Sequence, residues 1–233
     1  MRPGSWIGAV GVAAAILFSA GGTASAQRQD GPPPGAPPAA APWPAAPIRL
    51  TVADGSTAGY RVREQLAGIS FPNDAVGKVG AVSGSISFAA DGSIVAAESK
   101  LVVDLRTLAS DQDMRDGFIK GAQVLDTQRY PTVEFVPRRA VGLSWPFPQG
   151  AQGQAGFQLV GDMTVRGVTK EVTWNVIATF GRGRVAGRAD TEFTFDTFAI
   201  PKPKLARLLS VDDAIKLEVE LRMDPTIGAA AAK

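Results

Sequence analysis

The chain is 233 residues long, with 24 Lys and Arg against 22 Asp and Glu, a formal net charge of +2, and neither His nor Cys. The double absence removes the Ser-His-Asp triad, the thiol nucleophile, disulfides, c-type haem attachment and zinc sites built on nitrogen or sulfur. The pI is near 9.0, but both signs are scattered with no basic stripe, which speaks against a nucleic-acid partner and leaves acid–base chemistry to Asp, Glu, Lys and Tyr.

In chain order, residues 1–26 read as a secretory signal peptide. Arg2 supplies the positive start, Trp6 to Ala20 is apolar or small, and Ala24-Ser25-Ala26 is a small-x-small cleavage pattern. The apolar run is shorter than the ~20 residues of a membrane span. Export, most simply to the periplasm, is the expectation. Residues 27–47 form a Pro/Ala-rich stretch that cannot pack a core, expected as a disordered linker. Residues 48–226 then form one domain, and residues 227–233 a small-residue tail expected to be disordered.

Within the domain the dominant hydrophobic period is two. Tyr60 and Val62 mark an early strand. Val82, Gly84, Ile86 and Phe88 run to the turn Asp91-Gly92, and Val95, Ala97, Ser99, Leu101, Val103 and Leu105 return from it. Ser110 to Gly121 breaks the pattern. Its acids come early (Asp111, Asp113, Asp116) and Lys120 late, which predicts a short helix capped by Ser110, with Met114 and Phe118 on one face. Val133 and Phe135 mark a middle strand. Phe157, Leu159, Gly161, Met163 and Val165 lead into a tight turn at Arg166-Gly167, and Val172, Trp174, Val176, Ala178 and Phe180 lead out. Val185, Ala189, Phe193 and Phe195 follow. Last come Ile215, Leu217, Val219, Leu221 and Met223, alternating with Lys216, Glu218, Glu220 and Arg222.

About eight strands joined by short turns predict an all-β fold, an eight-stranded antiparallel barrel with one short inserted helix. Ile48 to Val52 would supply a ninth. Small residues at inward positions, Gly84, Gly161 and Ala178, are expected to leave room inside.

The segment Leu159-Val-Gly-Asp-Met-Thr-Val-Arg-Gly-Val-Thr-Lys-Glu-Val-Thr-Trp174 resembles the signature hairpin of the YceI-like family. Other features resemble that family in the same order. They are Gly77 with Ser83-Gly84-Ser85-Ile86, Val103-Asp104-Leu105 followed by Leu108, Met114-Arg115-Asp116, and Leu125-Asp126 with Tyr130-Pro131-Thr132-Val133-Glu134-Phe135. The resemblance covers about Gly59 to Met223. It implies a lipocalin-like barrel with an apolar tunnel for long polyisoprenoid chains, and in some relatives a cytochrome b561-like membrane partner. One departure is Phe193 to Ile200, which lacks the family's Arg and has Ala199 where Gly is common.

On that resemblance the ligand-binding lining is Tyr60, Val62, Phe88, Leu101, Val103, Phe135, Phe157, Met163, Trp174, Phe193 and Phe195, with no catalytic residue, no metal and no cofactor. Several choices stay open from the residues alone. Arg115 and Asp116 either greet a headgroup or tie down their own helix. Tyr60 bonds a ligand oxygen or backbone. Glu64, on the Tyr60 face, sits inward or at a rim. The stretch Pro201 to Leu209 is a membrane-touching lip or a loop and short helix closing one barrel end. Besides an isoprenoid carrier or buffer, the sequence admits a carboxylate-dependent enzyme on a lipid and a partner-interaction or stress-response module with a packed barrel. Pairing as a homodimer is open.

Overall fold

The structure, a computed structural model, describes residues 42–68, 70–148, 153–204 and 208–228. The expected signal peptide, residues 27–41 and residues 229–233 of the expected tail lie outside the described residues; the tail's first two residues are ordered instead, Ile227 pairing with Ile48 and Gly228 N–H donating to the Pro47 carbonyl at 2.8 Å.

Among the described residues eleven strands form one antiparallel sheet: β1 (Ile48–Val52), β2 (Thr57–Leu66), β3 (Asn73–Val79), β4 (Val82–Phe88), β5 (Lys100–Asp104), β6 (Ala109–Ser110), β7 (Thr132–Val141), β8 (Gln154–Val165), β9 (Val168–Phe180), β10 (Val185–Thr194) and β11 (Leu208–Ile227). Strands β1 and β2 both pair with β11, one after the other. Likewise β4 pairs with β1 while β3 pairs with β2, and β5 and β6 pair with β4 and β3. Three walls are therefore each built from two pieces. The ring runs β1-β4-β5-β7-β8-β9-β10-β11 and closes from β11 back to β1. The barrel is eight-stranded and closed, as the alternation predicts, so its ring leaves no free edge.

The Arg166-Gly167 turn is as tight as read. Both residues have positive φ, 51° and 77°, the two-residue hairpin geometry whose twist matches the flanking strands. A side chain at Gly167 would also meet the Tyr130 ring at 2.9 Å. Thr164 and Thr169 join across the strands through their hydroxyls at 2.8 Å.

Four further expectations are corrected. The alternation from Val95 to Leu105 is not one strand: Ala96–Glu98 and Leu105–Thr107 are 3-10 turns on either side of β5. The Ser99 hydroxyl, buried between Ser87 N–H at 2.9 Å and Val95 carbonyl at 2.8 Å, bends the chain there. Phe195 opens a 3-10 turn, Phe195–Phe198, instead of ending a strand. The helix α1 is shorter than read, Asp113–Lys120, and Ser110 does not cap it but ends β6. Asp116 instead accepts the Ser110 N–H on both oxygens, at 2.9 and 3.0 Å, which ties α1 to the barrel wall.

The fourth concerns the linker, whose composition places its end at Pro47. Its last residues are packed: Trp43 is 2% exposed and Ala46 4%. Trp43 donates to the Phe180 carbonyl and meets the Phe147 ring edge-on at 5.3 Å. Phe147 also stacks on Phe180 at 4.5 Å and touches Phe88 and Trp145. These rings plug the end of the barrel where β1 begins and β4, β7 and β9 finish. Their flat faces exclude water from that end over a large area.

Candidate functional site

Along each strand, alternate side chains point inward, and here the inward set does not meet in the middle. A cavity of about 740 Å³ runs up the barrel from the aromatic plug. Its wall includes all eleven residues read as lining: Tyr60 and Val62 from β2, Phe88 from β4, Leu101 and Val103 from β5, Phe135 from β7, Phe157 and Met163 from β8, Trp174 from β9, Phe193 from β10, and Phe195. The space is within the ~300–1,000 Å³ of ordinary ligand sites. The wall is built mostly of aliphatic and aromatic side chains, so it offers apolar area and few directed contacts.

The glycines read as making room do something else. Neither Gly84 nor Gly161 lines the cavity. A Cβ on Gly84 would lie 2.0 Å from the Lys100 carbonyl oxygen, and one on Gly161 would lie 2.3 Å from that of Val136. Both let strands approach each other. Room inside comes from residues such as Ala58, Ala178 and Ala189, which do line the cavity.

The opposite end is the mouth. It is framed by described residues of the turn after β2, by α1, by Ile200 to Lys204 and by the start of β11. Gly68, Gln112, Met114, Arg115, Phe118, Pro203, Leu208 and Val211 all border the space there. Three large apolar side chains at this end are exposed, Phe71 at 79%, Met114 at 87% and Leu209 at 66%. Residues 201–204 form no helix. Pro203 borders the opening, and residues 205–207 lie outside the described residues.

Two charged side chains stand in this mouth. Arg115 on α1 donates to Glu64 on β2 at 2.9 Å, and each side chain is only 11% exposed. Arg115 also donates to Asp111. The pair links helix to barrel across the sequence, a contact that neither residue's local pattern reveals. Asp116 is buried. Burial pushes its carboxyl up, but the bonds from Ser110 and the charges of Lys120 and Arg115 hold it below the usual carboxylate range.

Two polar atoms of the wall have no hydrogen-bond partner among the described residues: the Tyr60 hydroxyl and the Trp174 ring N–H. The Tyr60 ring lies over Gly77, where a Cβ would come within 2.2 Å of it. Burial pushes the hydroxyl up to about 12, against the opposing pull of Arg115, so it stays protonated. Of the two bonds expected of Tyr60, the one to backbone is not made among the described residues.

The signature turn also holds the mouth together. Arg166 donates to the Ala199 carbonyl at 3.1 Å and to the Ala122 carbonyl at 3.2 Å, joining the turns after α1 and after β10. Ala199 itself is left-handed, φ 50°. A side chain there costs energy that glycine does not incur. We expect Ala199→Gly to stabilise the protein by about 1 kcal/mol, read as a raised midpoint in urea unfolding with the slope unchanged.

Among the described residues no helix is long and apolar enough to cross a membrane. No group of three or more acidic, His or Cys side chains there could hold a metal.

The family model of the YceI-like domain matches residues 52–223. UPF0312 proteins of Pseudomonas putida strains GB-1 and W619 are 33% identical over 115 residues, covering 45% of this chain and 54% of theirs. The chain thus spans about half the length of the curated relatives it matches. Among solved structures, a polyisoprenoid binding domain from Saccharophagus degradans, implicated in plant cell wall breakdown, superposes with TM-score 0.58 at 12% identity, over 76% of this chain and 98% of that one. Burkholderia cenocepacia BcnA superposes with TM-score 0.52 at 14% identity, over 72% of this chain and 95% of that one. At such identities the likeness is one of fold.

Proposed function

The chain belongs to the YceI-like family, and from that premise we propose that its barrel holds a polyisoprenoid or similar long apolar chain, as an exported carrier or buffer without covalent chemistry. The observation that carries this is the cavity of about 740 Å³, closed below by rings and walled by apolar side chains. A chain of isoprene units asks for apolar area and little else. Each buried methylene-sized group is worth roughly 0.8 kcal/mol, so a few units outweigh the cost of ordering the ligand. The polyisoprenoid binding domain of the same fold supports the choice of ligand class. The signal-like residues 1–26 support export.

The alternatives gain less support. A packed barrel does not fit an open cavity. A carboxylate-dependent enzyme would use Glu64, which Arg115 already engages. A cytochrome b561-like partner and a homodimer have no observation in their favour.

The test is native mass spectrometry of protein purified from its export compartment, followed by organic extraction. We expect a bound species of isoprenoid mass, and quenching of Trp174 when geranylgeraniol is added to stripped protein. A protein that carries nothing and shows no quenching would remove the proposal.

A further inference from the structure

We propose that the mouth selects long-chain ligands with an uncharged head over those with an anionic one, and that the Glu64–Arg115 pair sets this preference. The inference rests on the reading of the cavity as a site for apolar chains and adds the chemistry of the ligand's other end.

Arg115 is the cation that a phosphate or carboxylate head would seek at this mouth. It is already committed. One terminal nitrogen donates to Glu64 at 2.9 Å and the other to Asp111. Both members of the Glu64–Arg115 pair are 11% exposed, so water screens them less than surface charges. An anion arriving there must displace Glu64 or lie beside it. Displacement leaves a largely buried carboxylate without its partner, and a like charge at close range is costly in so dry a place.

The surrounding charges point the same way. Of the sheltered groups, Glu64 and Asp116 face Arg115 and Lys120, two negative against two positive, so no cation is left over for an anionic head; Asp111, 71% exposed, acts through water. Lys120 is held by the Leu108 carbonyl at 3.0 Å. Lys202 and Lys204, on either side of Pro203, are exposed and act through water. Arg188, the remaining charged residue of the wall, is exposed on β10. A hydroxyl or carbonyl head requires no counter-ion. Gln112, also at the mouth, offers it a neutral amide that can donate or accept.

The experiment compares geranylgeraniol with geranylgeranyl phosphate, which share one chain and differ in head charge, titrated into stripped protein at fixed ionic strength. We expect the alcohol to bind about tenfold tighter or more, a margin of about 1.4 kcal/mol. Glu64→Gln should narrow the gap by raising affinity for the phosphate, since it frees Arg115 while keeping the side chain's shape. The double variant Lys202→Ser with Lys204→Ser should leave the gap as it is. Equal or tighter binding of the phosphate by the unaltered protein overturns the inference while leaving the chain-binding reading intact. So does a gap that Glu64→Gln does not change. Should neither probe bind, the chain-binding reading falls and the headgroup preference falls with it. The two-probe comparison on the unaltered protein stands even where a variant folds poorly.

Discussion

Replacing Ala189 with Trp should weaken geranylgeraniol binding by about a hundredfold or more, some 2.7 kcal/mol, while leaving the thermal midpoint within a few degrees of the parent. Ala189 lies on β10 opposite Val176 of β9 and Val219 of β11. All three border the cavity, so the added indole extends into open space. It would displace roughly two isoprene units of the ligand, at roughly 0.8 kcal/mol per methylene-sized group. The gross loss exceeds the expected one because part of the chain can refold into what room is left. Stability should hold because the new side chain fills a void and does not overpack a full core. Unfolding in urea and retention of radiolabelled geranylgeraniol are read on the same preparation, because the added indole is itself a fluorophore in the cavity. A bound chain in the Trp variant at unchanged affinity would show that the ligand does not use this cavity.

The prediction depends on features that were legible in the sequence to different degrees. The hairpin of β8 and β9 was plain, because strict alternation and an Arg-Gly turn are both local signals. Alternation also fixes which side chains share a face, and that is why all eleven residues read as lining stand on the cavity wall. Whether such residues meet each other or leave a gap depends on barrel diameter, which no strand encodes alone. The aromatic plug was missed because Trp43 sits between two prolines in a stretch whose composition argued for an open tail. A signal was present there. A tryptophan has no use in a solvated spacer, and Trp145-Pro146-Phe147-Pro148 repeats the same mixture of rings and prolines further on. The Glu64–Arg115 bond joins residues 51 positions apart. The sequence leaves Glu64 inward or at a rim and Arg115 at a headgroup or on its own helix, and pairs them with nothing across the chain; only the closed barrel brings them together.

Glycine is where local reading failed for a physical reason, and it gives the largest expected effect on stability. An inward small residue either enlarges the interior or permits a close approach of backbones, and the sequence pattern is the same for both. Gly84 sits in β4 opposite Leu101 of β5. Its φ is 114°, outside what L side chains adopt, and its missing Cβ would fall 2.0 Å from the Lys100 carbonyl oxygen and 2.9 Å from that carbonyl carbon. Backbone atoms of a paired strand cannot step aside as a flexible side chain can. Gly84→Ala should therefore destabilise the protein by about 3 kcal/mol or more, from backbone strain and steric displacement together. Gly161→Ala tests the second cause almost alone. Gly161 carries no positive φ, yet its Cβ would meet Val136 oxygen at 2.3 Å and Pro137 Cα at 2.7 Å, beside the irregular step between Pro137 and Arg139 in β7. Its cost should be smaller, about 2 kcal/mol. Paired with Ala189→Trp, these variants separate the two roles of small residues in one barrel. The glycine variants should shift the urea midpoint and, in the fraction still folded, bind the chain as the parent does. Ala189→Trp should do the reverse. A Gly84→Ala protein as stable as the parent would mean that β4 and β5 do not approach as closely as this packing requires.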